Sequence, residues 1–174
     1  MSNFKGHCHC GATEWTATLE KDQQAHILCH CNTCKQLSGS TYTLNQIIPA
    51  KNLSFAKGGD SLGKYTYKGD SGTSRLLHTL LLHLYTSPLC PVITSSLLML
   101  RSIPGKSVYC YYRPTCTTHV YHAQEALGPD SIVLRTGLLD EGMEKFAPAA
   151  EIYCKVRLGW EKEVAQSFDA MPPS

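Results

Sequence analysis

Hydrophobic and polar residues alternate with a period of two along most of this chain. In "EWTATL", Trp15, Ala17 and Leu19 take one parity, and Glu14, Thr16 and Thr18 take the other. Successive side chains of a strand point to opposite faces, so the pattern predicts a half-buried strand. Further β-rich runs are "AHILC" (25–29), "STYTLNQIIP" (40–49), "GKYTYKGDSG" (63–72), "KSVYCYY" (106–112), "HVYHA" (119–123), "SIVLRTG" (131–137) and "AEIYCKVRL" (150–158). Their Val, Ile, Tyr and Thr content suits a pleated surface, and Gly128-Pro129-Asp130 is turn chemistry. No long helical period appears in these runs, and "QSFDAMPPS" (166–174) reads as a frayed tail. The expectation is a single all-β domain spanning 1–174.

One segment breaks the pattern. Residues 73–105 carry ten leucines and no acidic residue, with Arg75 and Arg101 as the formal charges. The uncharged run from Leu76 to Leu100 is long enough to raise the question of a membrane span. His78, His83, Pro88 and Pro91 weaken that reading, as does its place between two strand-rich halves. The composition fits an insertion foreign to the parent domain, such as translated non-coding sequence; a membrane-associating hairpin is the alternative.

Charge changes the picture little. With 16 basic and 14 acidic residues the net charge is +2, which makes no electrostatic case for nucleic acid or an anionic membrane as partner. The start "MSNFKGHCHCG" lacks the apolar region of a secretory leader, so a cytoplasmic setting is expected.

Cysteine changes it a great deal. The chain has nine, and in a reducing compartment clustered cysteines point to metal or catalysis before disulfides. Two groups come early, Cys8-His9-Cys10 and Cys29-His30-Cys31-Asn32-Thr33-Cys34; Cys110 and Cys116 lie late. Cysteines one residue apart make poor disulfides but can face one metal ion from a tight turn. Cys-x-Cys-x-x-Cys supplies three thiolates, a soft donor set suited to zinc, and leaves a fourth position for a guest. Three thiolates weaken zinc as a Lewis acid, so an entering thiol that the metal deprotonates is a more natural substrate than water. His30 and Lys35 flank the loop and either orient an anion or are solvated surface residues. A structural zinc completed by His30 or Cys154 is the competing reading, although Cys154 also reads as a small buried hydrophobe in a strand. A redox pair at Cys31 and Cys34 is disfavoured, because that motif opens a helix in a βαβ unit.

The ordered stretches "GHCHCGATEW", "CHCNTCKQLSGS", "YKGDSG", a late Cys-bearing strand, "HVYH" and "RTGLLD" together resemble the glutathione-dependent formaldehyde-activating enzyme family, also called the CENP-V/GFA domain. The resemblance implies an Mss4-like fold of several coiled antiparallel sheets and one or two zinc ions. It implies a functional zinc at Cys29, Cys31 and Cys34, and a structural zinc that includes Cys8, Cys10 and Cys116. The implied activity is carbon–sulfur lyase chemistry, joining formaldehyde and glutathione into S-(hydroxymethyl)glutathione. Around the functional site His30, Lys35, Ser40 and Asp70 are candidates for contacting the thiol substrate.

The chain departs from the family pattern twice. Arg113 stands where the late Cys-x-x-Cys should begin, which leaves Cys116 alone; Cys110 and His119 are possible replacements, or the guanidinium takes the place of the cation's charge. The 73–105 segment follows "GDSG", and joining Gly72 to Lys106 restores an uninterrupted pattern. Against the enzyme stand two other expectations: a non-catalytic zinc or glutathione-carrier module, and a degenerate paralogue.

Overall fold

A computed structural model describes residues 1–69 and 105–172. Asp70 and the apolar segment, except for Gly105, lie outside the described residues. Eleven strands are described: β1 (Ser2–His7), β2 (Glu14–Leu19), β3 (His26–Cys29), β4 (Thr43–Pro49), β5 (Leu53–Lys57), β6 (Gly63–Lys68), β7 (Ser107–Tyr112), β8 (His119–Gln124), β9 (Ser131–Arg135), β10 (Pro148–Ile152) and β11 (Gln166–Ser167). Two short helices accompany them, α1 (Asn32–Ser38) and α2 (Gly142–Lys145). The fold is all-β, as the alternation predicts.

The strands form two sheets. One is three-stranded and antiparallel, in the order β1-β2-β5; the other is eight-stranded, in the order β11-β10-β3-β4-β9-β8-β7-β6. The expected antiparallel pairing gives way at one end, where β3, β10 and β11 run parallel. In β2, Trp15, Ala17 and Leu19 are buried on one side. Trp15 lies opposite Gly6, and a Cβ there would come within 2.7 Å of two indole atoms, so the position has room for hydrogen alone.

Register assigns each face of the large sheet a different task. Leu28, Ile48, Ile132 and Leu134 point one way, and the last three join Phe4, Trp15, Ala17 and Leu19 in the main core. The opposite parity carries Ile27 and Cys29, Asn45 and Ile47, Val133 and Arg135, His122, Val108 and Cys110, and Tyr67, through direct cross-strand pairs. This second face bears the chemistry.

Two expectations are corrected at the C-terminal end. The strand from Ala150 stops at Ile152, because Tyr153 turns left-handed (φ 58°) and Cys154–Val156 is a 3-10 turn. The tail is docked: β11 pairs with β10, and the Phe168 and Ala170 carbonyls accept from the Cys154 and Tyr153 N–H groups. Its backbone donors and acceptors are drawn onto the sheet because β10 offers an otherwise unpaired edge.

The edge of the apolar segment is well defined. β6 and β7 pair from Gly63↔Tyr112 to Lys68↔Ser107, and Gly69 N–H donates to the Lys106 carbonyl at 3.0 Å. The chain therefore leaves and re-enters the sheet at adjacent positions, a separation that a short turn would be enough to close. Deleting 73–105 and joining Gly72 to Lys106 is expected to keep cooperative unfolding, with a midpoint within about 5 °C of the full chain. Loss of the cooperative transition in a thermal melt would show that the segment is part of the core.

Candidate metal centre and its surroundings

The Cys29–Cys34 loop is shaped by local rules. β3 ends at Cys29, and Cys31 is the N-cap of α1, its Sγ accepting the Cys34 N–H at 3.3 Å. The expectation of β structure throughout is wrong here: the Cys-x-x-Cys opens a helix. A thiolate at an N-cap satisfies a helix-end donor, as Ser or Asp would. Gly39 ends the helix in the left-handed conformation at φ 64°.

The loop brings the Cys29, Cys31 and Cys34 sulfurs within 4.8 Å of one another. Zinc–sulfur bonds of about 2.3 Å at tetrahedral angles place thiolates about 3.8 Å apart, so the set suits such an ion. Among the described residues no fourth Cys, His, Asp or Glu joins the group. The Cys34 thiol is held far below its ordinary range by hydrogen bonds from Cys29 and Cys31, against the cost of burial and with help from the Arg135 charge and Thr43. The other two thiols are held up correspondingly.

Arg135 supplies the opposing charge. It is 6% exposed, yet no described carboxylate contacts it. It donates from Nη1 to Asn45 Oδ1 at 2.6 Å and from Nη2 to His122 Nε2 at 3.0 Å. A buried guanidinium with two neutral acceptors needs a nearby anion, and the thiolate cluster provides one.

A partly open, largely apolar cavity of about 170 Å³ adjoins the three cysteines. Ile27, Ile47, Val108, Val133 and Ile152 form its apolar walls, and Asn45, Tyr67 and His122 reach it as polar groups. A cavity of this size takes a few heavy atoms, not a tripeptide.

The flanking candidates fall elsewhere. His30 is buried at 2% exposure and is not a solvated residue. It faces away from Cys29 and donates from Nε2 to Glu151 Oε2 at 2.8 Å, with Glu161 Oε2 3.5 Å from Nδ1. Lys35 donates to the Val156 carbonyl at 2.7 Å, which ties α1 to the 3-10 turn. Ser40 is exposed and lines a second, more open cleft with Thr41, Thr43, His119 and Arg135. Cys154 is half-buried in its turn, within 4.8 Å of His30 and Glu151 ligand atoms. That trio is a poor metal site, because Glu151 is already saturated. Its Oε1 accepts from the Val164 and Ala165 N–H groups (2.6 and 3.1 Å), and its Oε2 from His30 and Arg157 (2.8 and 2.9 Å). Burial pushes the Glu151 carboxyl up, but these four donors outweigh it and hold the group ionised.

The other knuckle gathers Cys8, Cys10 and Cys116 within the same 4.8 Å. Thr13 N–H donates to Cys8 Sγ at 3.2 Å, and Thr118 Oγ1 lies 3.3 Å from Cys116 Sγ and accepts the His9 N–H at 3.0 Å. Arg113 turns its guanidinium to the Ser61 carbonyl at 3.5 Å. Neither Cys110 nor His119 completes this set. They meet His122 instead, in a group of their own. A bulge between Tyr111↔Tyr121 and Tyr112↔His119 explains why. Residues 119 and 122 would lie on opposite faces of a regular strand, and the extra residue brings both to the face of Cys110. The His119 and His122 rings stack at 4.4 Å and 18°. Stacked planes and the Arg135 donor on His122 make this group unsuited to an ion, which must lie in the plane of each ring.

Arg135, Asn45, His122 and Glu151 are absent from the motif-derived candidates. A signal existed for Glu151, an acid at an inward position of an apolar strand. Arg135 and His122 lie in "RTG" and "HVYH", far along the chain from the cysteines, and only sheet register joins them.

Residues 3–78 match the family described as glutathione-dependent formaldehyde-activating enzyme. That stretch, less than half of the chain, is similar to the family. The match includes Cys8, Cys10, Cys29, Cys31 and Cys34 and ends before Cys116. No curated protein matches the chain. Among solved structures, a crystal structure of a Rhodobacter sphaeroides protein is 15% identical, covers 83% of this chain and 99% of its own, and aligns with a TM-score of 0.48.

Two outcomes test these assignments. Glu151→Ala leaves His30 and Arg157 without their buried acceptor, so a loss of about 3–5 kcal/mol in chemical denaturation is expected; a loss under about 1 kcal/mol contradicts the assigned tie. Burial, aided by the Arg135 charge, pulls His119 down to about 4. The unfolded chain takes up that proton first, so stability is full above about pH 6.5 and falls as the pH drops toward 4. His119→Gln is expected to flatten this stretch of the melting-temperature profile, and an unchanged slope would refute the assignment.

Proposed function

We propose that this protein is a zinc-dependent carbon–sulfur lyase or synthase that acts on a small thiol adduct, of the S-(hydroxymethyl)glutathione synthase type. The carrying observation is the three-sulfur set of Cys29, Cys31 and Cys34 bordering a small apolar cavity, with no fourth ligand among the described residues. The family description supports glutathione and formaldehyde as the chemical setting. Zinc held by those three sulfurs would acidify a thiol that enters as fourth ligand. Ile27, Ile47 and Val133 would give the carbon being attacked an apolar surround, and Arg135 offsets the negative charge of the sulfur-rich site.

The cavity volume supports a division of the substrate: the aldehyde carbon and the sulfur fit inside, and the peptide body stays outside. Cys8, Cys10 and Cys116 are proposed as a second zinc site of structural role, and the whole chain as one domain interrupted at 73–105.

Metal analysis and activity test this together. Purified full-length protein is expected to carry zinc and to accelerate equilibration of glutathione and formaldehyde, followed by NMR exchange. Cys31→Ser is expected to lose one zinc equivalent and the acceleration while keeping its strand content. Zinc with no acceleration in the parent protein favours the carrier module, and acceleration that survives in zinc-free Cys31→Ser refutes the reading.

A further inference from the structure

We propose that His122 is a catalytic hydrogen-bond donor, which presents its Nδ1–H to the aldehyde-derived oxygen in the cavity, and that Arg135 is the positioning residue that fixes this tautomer. The proposal rests on the reading above and extends it to residues outside the cysteine loop.

The argument begins with donor chemistry. A guanidinium has five N–H groups and no acceptor, so the 3.0 Å contact from Arg135 Nη2 requires His122 Nε2 to be the acceptor. The proton of the neutral ring therefore sits on Nδ1. Arg135 is itself fixed by Asn45, its direct cross-strand partner, at 2.6 Å. His122 is 3% exposed, and the stacked His119 ring holds its plane. Burial and the adjacent Arg135 charge both oppose protonation of His122, in keeping with a neutral donor.

Position comes next. His122 lines the same cavity as Cys29, Cys31 and Cys34. Among the described residues nothing accepts from its Nδ1. Asn45 also lines the cavity, but its Nδ2 hydrogens already go to Thr43 Oγ1 and the Thr43 and Ile27 carbonyls at 3.0, 2.9 and 3.3 Å. Arg135 does not reach the cavity. A neutral, pre-oriented N–H in a largely apolar pocket is the arrangement that stabilises charge developing on oxygen.

The step balances without oxidant or reductant. The thiol sulfur forms a bond to the carbonyl carbon, and the C=O π pair moves to oxygen. That oxygen receives, through solvent, the proton the thiol gave up, so thiol plus aldehyde becomes the hydroxymethyl thioether. The Nδ1 proton stays on the ring, and its hydrogen bond strengthens as the oxygen gains charge.

The test compares the full-length zinc-loaded protein with His122→Phe, which keeps the ring and loses the donor, and His122→Asn, whose amide nitrogen, like Nδ1, is bonded to Cγ and restores an N–H there. Zinc stoichiometry, melting temperature, kcat and the glutathione KM are read for each. Phe is expected to keep its zinc, change KM less than about threefold and lower kcat about 10²–10³-fold, with Asn recovering at least about tenfold of that loss. A zinc-bearing Phe variant with parent kcat overturns the role of His122 and leaves the proposed function standing. Parent protein that binds zinc without accelerating the reaction overturns both. Should Phe fail to fold, His122→Gln, whose amide lies at the Nε2 position and lacks a donor at Nδ1, replaces it, and equal rates for Gln and Asn overturn the proposal.

Discussion

Three sulfurs gathered on one face of a sheet repel one another once they ionise, and burial makes that repulsion worse. Cys29, Cys31 and Cys34 meet within 4.8 Å under apolar cover, so the arrangement calls for positive charge. Part of it is built in: the Arg135 guanidinium is buried beside the cluster with no described carboxylate of its own. Zinc would supply the rest. The two together leave the site close to neutral, since a dication with three thiolates carries one net negative charge and Arg135 one positive.

The architecture serves this constraint. One parity of the eight-stranded sheet fills the main core with Ile48, Ile132 and Leu134, and that rigid packing fixes the register of the other parity. The other parity then lines up Cys29, Asn45, Arg135 and His122 across adjacent strands. Behind the loop, Glu151 ties His30 to Arg157 and to the Val164–Ala165 backbone. The knuckle is thus braced from the core side, while its sulfurs face the cavity.

The strands and the cysteine loop were legible because both are local signals: parity along six residues, and spacing within six. β2 and most other strands follow from alternation alone. The α1 helix was not legible, since seven residues leave little helical period and its start depends on a sulfur acting as cap. Cys154 looked like a strand residue until the left-handed Tyr153 ended β10. His30 looked like a flanking surface residue, but its partner Glu151 is 121 positions away. His119 and His122 share a face through a bulge that no spacing rule reveals, and Arg135 reaches the site by strand order. Local patterns announced the thiols; the groups that balance their charge are assembled by topology.

X-ray absorption at the zinc edge of the freshly purified full-length chain tests the central claim most directly. Both three-sulfur knuckles lead to the same expectation: about three sulfur scatterers and one nitrogen or oxygen scatterer per zinc, with the sulfur count rising when glutathione is added. A shell already filled by four protein ligands and indifferent to the thiol, or cysteines paired as disulfides with no zinc bound, would contradict the account.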